Sequence, residues 1–228
     1  HKRDPPPVLV SDSSERSITV RLASASERRN LWLEHRLRER ELTLIAAPLL
    51  TDEEVQVTGV EVRNQVVAIL AGKFEAARME LRLAEHAGQE LPDAVMVADT
   101  LVEDPDDTHQ SLGKPDGREQ AAAMLLRLSG RRHLVWSGTT LLTRDSTGWT
   151  NQSWIESATV EIDELSAEVL VELLDSESWS GKAGAYDLAG MMGGHARLVA
   201  GDEVCVLGFA LSAVEQLEAW LDRGVGEN

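Results

Sequence analysis

An α/β fold, a mixed β-sheet with flanking helices, is what this chain predicts, and three observations predict it. Segments with two-residue apolar alternation are interleaved with segments of three- and four-residue periodicity. Ala94-Val95-Met96-Val97-Ala98 is a short unbroken apolar run, as a strand buried on both faces would be. Two strand patterns, HLVWSGTTLL and WIESATVEI, follow each other around the turn-rich stretch Arg144–Thr150, so an adjacent strand pair joins the sheet.

Taken in order, residues 1–16 hold three consecutive prolines and little periodicity, and read as a flexible leader to one domain over residues 17–228. Ile18, Val20 and Leu22 alternate with polar residues and predict a strand that runs into Ser24-Ala25-Ser26. A charged helix is expected over about 27–41, with Leu31, Leu33 and Leu37 as its buried side. Val66, Ile69, Leu70, Phe74, Ala77 and Leu81 recur at helical spacing over 65–86, and Gly88 supplies a stop. The apolar run 94–98 ends at Asp99-Thr100. Asp116 and Glu119 have capping-box spacing ahead of a helix over 121–128, which Gly130 ends. After the strand pair come a helix over 166–174, a glycine-rich loop over 181–194, a strand VCVLGF, and a last helix begun by Ser212 with Glu215 and ended by Gly224.

Acidic residues outnumber basic ones 39 to 22, giving a net charge of −17. That balance excludes a nucleic-acid polymer as partner, since a duplex demands a basic face. No apolar run approaches the roughly 20 residues of a membrane span. Cys205 is the single cysteine, so no internal disulfide forms; it reads as a buried small hydrophobe in a protein of the reducing cytoplasm.

Four short motifs carry chemistry. In Ser24-Ala-Ser-Glu-Arg-Arg29 a strand ends in small hydroxyl residues and two arginines open a helix, where free N–H groups, hydroxyls and guanidinium forks suit a phosphate. Ordinary capping is the other use of the same residues. Asp99-Thr100 puts a carboxylate at the end of an apolar strand, where it can hold a divalent metal or accept a proton from water. Leu112-Gly-Lys114-Pro and Ser180-Gly-Lys182-Ala-Gly-Ala-Tyr186 each set a lysine in a glycine-bearing turn. No phosphate-loop spacing GxxxxGK[ST] occurs, and the histidines, His109 and His133 among them, lack metal-ligand spacing.

The order SASxRR, ADT, LGKP, a helix ending LSGR-H, then GKAGAY resembles the Maf family of nucleoside triphosphate pyrophosphatases, from about Ile18 to Leu217. The resemblance implies a two-lobed fold related to inosine-triphosphatase-like enzymes, often a homodimer. It also implies a divalent cation, Mg2+ or Mn2+, and cleavage of a nucleoside triphosphate to monophosphate and pyrophosphate. By that likeness Asp99 is the catalytic proton acceptor and a metal ligand. Ser24, Ser26, Arg28 and Arg29 fall on the phosphate-binding turn, and Lys73, Lys114 and Lys182 surround the triphosphate. Arg28, Thr100 and position 189 are linked to substrate choice. An acidic metal ligand is expected among Asp52, Glu53 and Glu54, with Glu53 favoured.

Two departures stand out. Glu27 replaces the proline of SASPRR, and Ala189 replaces the glutamine that follows GKAGAY and is tied to thymidine and uridine triphosphate preference. Alanine offers a base edge no hydrogen bond, so altered pyrimidine selectivity is expected. The alternative to an enzyme is a non-catalytic nucleotide-binding regulator of septum formation and cell division. A house-cleaning hydrolase of modified nucleotides would share the reaction and differ in its base pocket. Trp179, beside the GKAGAY loop, is a candidate for base contact.

Overall fold

The computed structural model describes residues 16–51 and 55–224. The leader expected over 1–16 lies outside this range except for Arg16, and so do Asp52, Glu53 and Glu54.

Among the described residues seven strands form one sheet. They are β1 (Ile18–Leu22), β2 (Leu42–Ala46), β3 (Ala94–Asp104), β4 (Asp107–Leu112), β5 (Arg132–Asp145), β6 (Gly148–Ile162) and β7 (Ala196–Ala200). Their order is β2-β1-β3-β5-β6-β7, with β4 also on β3. β2 and β3 run parallel to β1, and every other pairing is antiparallel, so the sheet is mixed as the sequence predicts. The helices are α1 (Glu27–Arg36), α2 (Val62–His86), α3 (Arg118–Leu128), α4 (Ala167–Asp175), α5 (Glu203–Leu207) and α6 (Leu211–Asp222).

Alternation along β3 explains how both sheet faces are covered. Ala94, Met96 and Ala98 point to one face and pack with Val20 and Leu22 against Leu33 of α1, Phe209, and Leu217 of α6. Val95 and Val97 point to the other and pack against Leu70, Ala77 and Leu81 of α2. The far part of the sheet, with Val102, Val135, Val160 and Ile162, packs against Leu125 and Leu128 of α3 and Leu173 and Leu174 of α4. α2 lies unusually close to β5 at Gly138, where a Cβ would fall 2.8 Å from Val66 Cγ1 and 2.9 Å from Ile155 Cδ1.

The sheet is interrupted along one edge of β3. β1 pairs with Ala94–Met96 only, and β4 pairs with β3 from Val102 onward. Residues 97–101 therefore have β5 on one side and, among the described residues, no strand on the other.

Several expected boundaries are corrected. The first helix stops at Arg36, not near 41, because the chain turns back after Leu37 to lay β2 beside β1. The strand at 94–98 does not end at Asp99-Thr100; it continues to Asp104, held by β5 and β4. VCVLGF is not a strand. Its first four residues lie in the short helix α5, capped by Asp202 Oδ1, which accepts from the Val204 N–H at 2.9 Å. Ser212 does not cap the last helix: α6 begins at Leu211, and Ser212 Oγ donates to Glu156 Oε2 at 2.6 Å. Asp116 does not cap α3 either; Gly117 stands at that position, and the Asp116 N–H donates to Gln120 Oε1. Cys205 is buried and free, as expected. Among the described residues no helix is long and apolar enough to cross a membrane.

Candidate active site

A cleft of about 960 Å³ opens at the interrupted edge of β3. It is bounded by α2, the segment 55–59, the turn after β4, and α3. Arg29, Lys73, Asp99, Thr100 and Lys114, all singled out in the sequence, line it together.

Each arrives for a local reason. Asp99 and Thr100 are neighbours on β3, so their side chains leave on opposite faces of the strand and reach the cleft around its open edge. Lys73 lies on α2 between the buried Leu70 and Ala77. Its ammonium donates to Ala98 O at 3.1 Å and stands 3.6 Å from Asp99 Oδ1. Asp99 Oδ2 is buried and has no hydrogen-bond partner. Lys114 stands in the turn after β4, and Gly113 O in that turn accepts the Gly184 N–H at 3.1 Å. The GKAG loop is thereby fastened to the LGKP turn. Gly184 has φ +70°, and a Cβ there would fall 2.8 Å from Val102 Cγ2, so glycine permits the loop to lie against β3.

Arg29 is nearly buried and anchored at three points. Its Nε donates to Gly208 O at 2.7 Å, Nη1 to Ser24 Oγ at 3.2 Å, and Nη2 to Thr100 Oγ1 at 3.1 Å. The same network occupies the hydroxyls of the first motif. Ser26 caps α1 by accepting from the Arg29 N–H, and Ser24 Oγ also accepts from the Ser26 N–H. Arg28 turns elsewhere, pairing with Asp187 at 3.4 Å and donating to Val206 O. Burial holds its guanidinium below its ordinary pKa against the pull of Asp187.

Ser24, Ser26, Arg28, Lys182 and Ala189 are not among the residues lining the cleft. Lys182 Nζ donates to Ser180 O, and Ala189 is exposed. Trp179 is also elsewhere: its Nε1–H donates to Leu174 O, and its ring packs on the core beside α4. Two features went unseen in the sequence. Ser137 stands behind Thr100 at 2.7 Å. Gln65 is buried in the cleft wall and donates to Val60 O and His109 O. Neither belongs to a recognisable motif.

Among the described residues no three His, Cys, Asp or Glu side chains gather as a metal cluster. A hard divalent cation does not demand one. Mg2+ is commonly held by one or two carboxylates together with substrate phosphates and water. The buried, unpartnered Oδ2 of Asp99 fits one such ligand.

Buried beside the GKAGAY loop, His133 Nε2 and Tyr186 Oη are 2.7 Å apart. Burial lowers the His133 pKa to about 4 and raises that of Tyr186 well above its ordinary value.

A protein from Agathobacter rectalis, named dTTP/UTP pyrophosphatase, is 31% identical over 203 residues, covering 86% of this chain and 93% of its own. A Geobacillus protein of the same name is 30% identical over 192 residues, covering 84% of this chain and 91% of its own. A third of that name, from Lachnoclostridium phytofermentans, is 29% identical over 109 residues, 47% of this chain; that match spans 55% of the relative. Residues 19–219 match the family described as Maf-like protein, and the chain belongs to that family.

Proposed function

We propose that this protein is a nucleoside triphosphate pyrophosphatase that hydrolyses the bond between the α- and β-phosphates. The observation that carries this reading is the convergence on one cleft of a buried carboxylate oxygen without a partner, Asp99 Oδ2, and the cations Arg29, Lys73 and Lys114. A triphosphate carries about four negative charges, so a protein of net charge −17 has to concentrate cations locally to bind one. The names of the relatives support the same reaction class.

In this reading Lys73 and Lys114 hold the phosphates, and Arg29 is a fixed charge that shapes the turn beside them. A bound divalent cation would neutralise charge on the phosphoryl oxygens, with Asp99 as its protein ligand. Asp99 also orients the attacking water and accepts its proton. Catalysis then comes chiefly from positioning and charge stabilisation in a site built before substrate arrives. Ala189 lies outside the cleft lining and carries no hydrogen-bonding side chain that could reach in to a base, so the preference for thymidine and uridine triphosphates is weakened relative to a glutamine at that position.

The test is pyrophosphate release from a panel of nucleoside triphosphates with Mg2+ or Mn2+, for the wild type and Asp99→Asn. Monophosphate and pyrophosphate from the wild type, with activity lowered about 10²–10⁴-fold in the variant, are the expected result. A wild type that binds nucleotide and releases nothing with either metal would make the protein a non-catalytic nucleotide-binding regulator instead.

A further inference from the structure

A chain of hydrogen bonds runs from the cleft into the core through Thr100. Arg29 Nη2 donates to Thr100 Oγ1 at 3.1 Å. Thr100 Oγ1 lies 2.7 Å from Ser137 Oγ, which donates to the backbone carbonyl of Cys205 at 2.6 Å. Ser137 is fully buried.

Proton counting fixes the direction of every bond. A hydroxyl has one proton to donate. Ser137 commits its proton to the Cys205 carbonyl, which can only accept. The bond between the hydroxyls is therefore donated by Thr100. Of the two lone pairs on Thr100 Oγ1, Arg29 engages one. What remains for a ligand in the cleft is one acceptor and no donor.

We propose that Ser137 is a positioning residue that fixes the Thr100 hydroxyl as a hydrogen-bond acceptor toward the cleft, so that Thr100 recognises an N–H or O–H donor on the nucleoside part of the substrate. This role rests on the pyrophosphatase reading and deepens it. Ionised phosphate oxygens only accept, and setting one against a second acceptor leaves both without a proton. Thr100 is thereby unsuited to the triphosphate and suited to the nucleoside. There the donors are of two kinds, N–H groups of the base and hydroxyls of the sugar.

The experiment compares kcat/KM for UTP with N3-methyl-UTP, which lacks the ring N–H, and with dUTP and 3′-deoxy-UTP, each lacking one sugar hydroxyl. In the wild type the analogue without the recognised donor is expected to be poorer by about tenfold, the worth of one specific hydrogen bond. Which analogue suffers tells base from sugar. In Thr100→Val and in Ser137→Ala that ratio falls toward one, with the change carried by KM. Thr100→Ser, which keeps the hydroxyl, retains it. Ser137→Cys keeps the side-chain shape with a weaker donor and a weaker acceptor, and is read in the same way should Ser137→Ala not fold. Equal use of all four nucleotides by the wild type overturns the proposal. So does an unchanged ratio in a folded, active Ser137 variant. A wild type releasing no pyrophosphate from these four but active on other triphosphates of the wider panel overturns this role alone; one silent on the whole panel overturns the pyrophosphatase reading and this role with it.

Discussion

Asp99 and Lys73 stand 3.6 Å apart, too far for a good hydrogen bond, and Lys73 also bonds the carbonyl of Ala98. The lysine is thus held by the strand as well as by the carboxylate. Asp99→Asn is therefore expected to leave the melting temperature within a few degrees while removing activity, which separates a chemical role from a structural one. His133 makes the opposite kind of statement. Its folded pKa, about 4, lies below the ordinary 6.5 because it is buried neutral. Between those values the unfolded chain binds a proton that the folded one does not, so stability falls as pH falls from 6.5 toward 4. The full difference corresponds to about 3 kcal/mol. His133→Gln, which can still bond Tyr186 Oη, is expected to flatten this part of the acid limb, measured by urea unfolding at pH 7 and at pH 4.5. An unchanged slope in the variant would assign the acid loss to other groups.

At the scale of elements, legibility followed exposure and length. The long helix α2 and the paired strands β5 and β6 were legible because each repeats its period many times over. β2, β4 and β7 went unseen. β2 and β7 are largely exposed edge strands, and Asp107–Gln110 of β4 face solvent, so the alternation that marks a half-buried strand is absent or faint. VCVLGF failed for another reason. Val204 to Phe209 are all buried, and a short run buried on every side has no period to tell a helix from a strand. Of the residues lining the cleft, Arg29, Asp99, Thr100 and Lys114 were picked out by motif order and Lys73 by the family resemblance. Ser137 was not, because its partner is a backbone carbonyl distant in sequence.

The junction of α5 and α6 also carries a consequence for the site. Gly208 has φ +125°, and a Cβ there would fall 2.6 Å from Arg29 Nε. Gly208→Ala is expected to dislodge the Arg29 guanidinium from the Gly208 carbonyl and from Thr100. A cost of at least about 2 kcal/mol in chemical denaturation is expected, together with a loss of nucleotide affinity. A variant as stable and as active as the wild type would show that the junction gives way without strain.

For the whole molecule, a net charge of −17 contrasts with a cleft in which Arg29, Lys73, Lys114 and Arg127 balance Asp99, Asp104, Asp107 and Asp116. The fold gathers cations from α1, α2 and the turn after β4 beside a carboxylate on β3. It does so at the place where the sheet loses a neighbour between β1 and β4. The Met96 carbonyl points to that side, toward the Ala23 N–H, and so does the Ala98 carbonyl, toward Lys73. By the alternation of a strand, the amides of Ala98 and Thr100 point there too. Among the described residues no strand pairs with this stretch of β3, and a ligand seated in the cleft would stand where such a strand could have lain. Amide hydrogen exchange reads this directly. Ala98 and Thr100 are expected to exchange faster than their β5-facing neighbours in the free protein, and to slow when nucleotide is added. Unaltered exchange at both would mean that the nucleotide leaves the sheet's break unfilled.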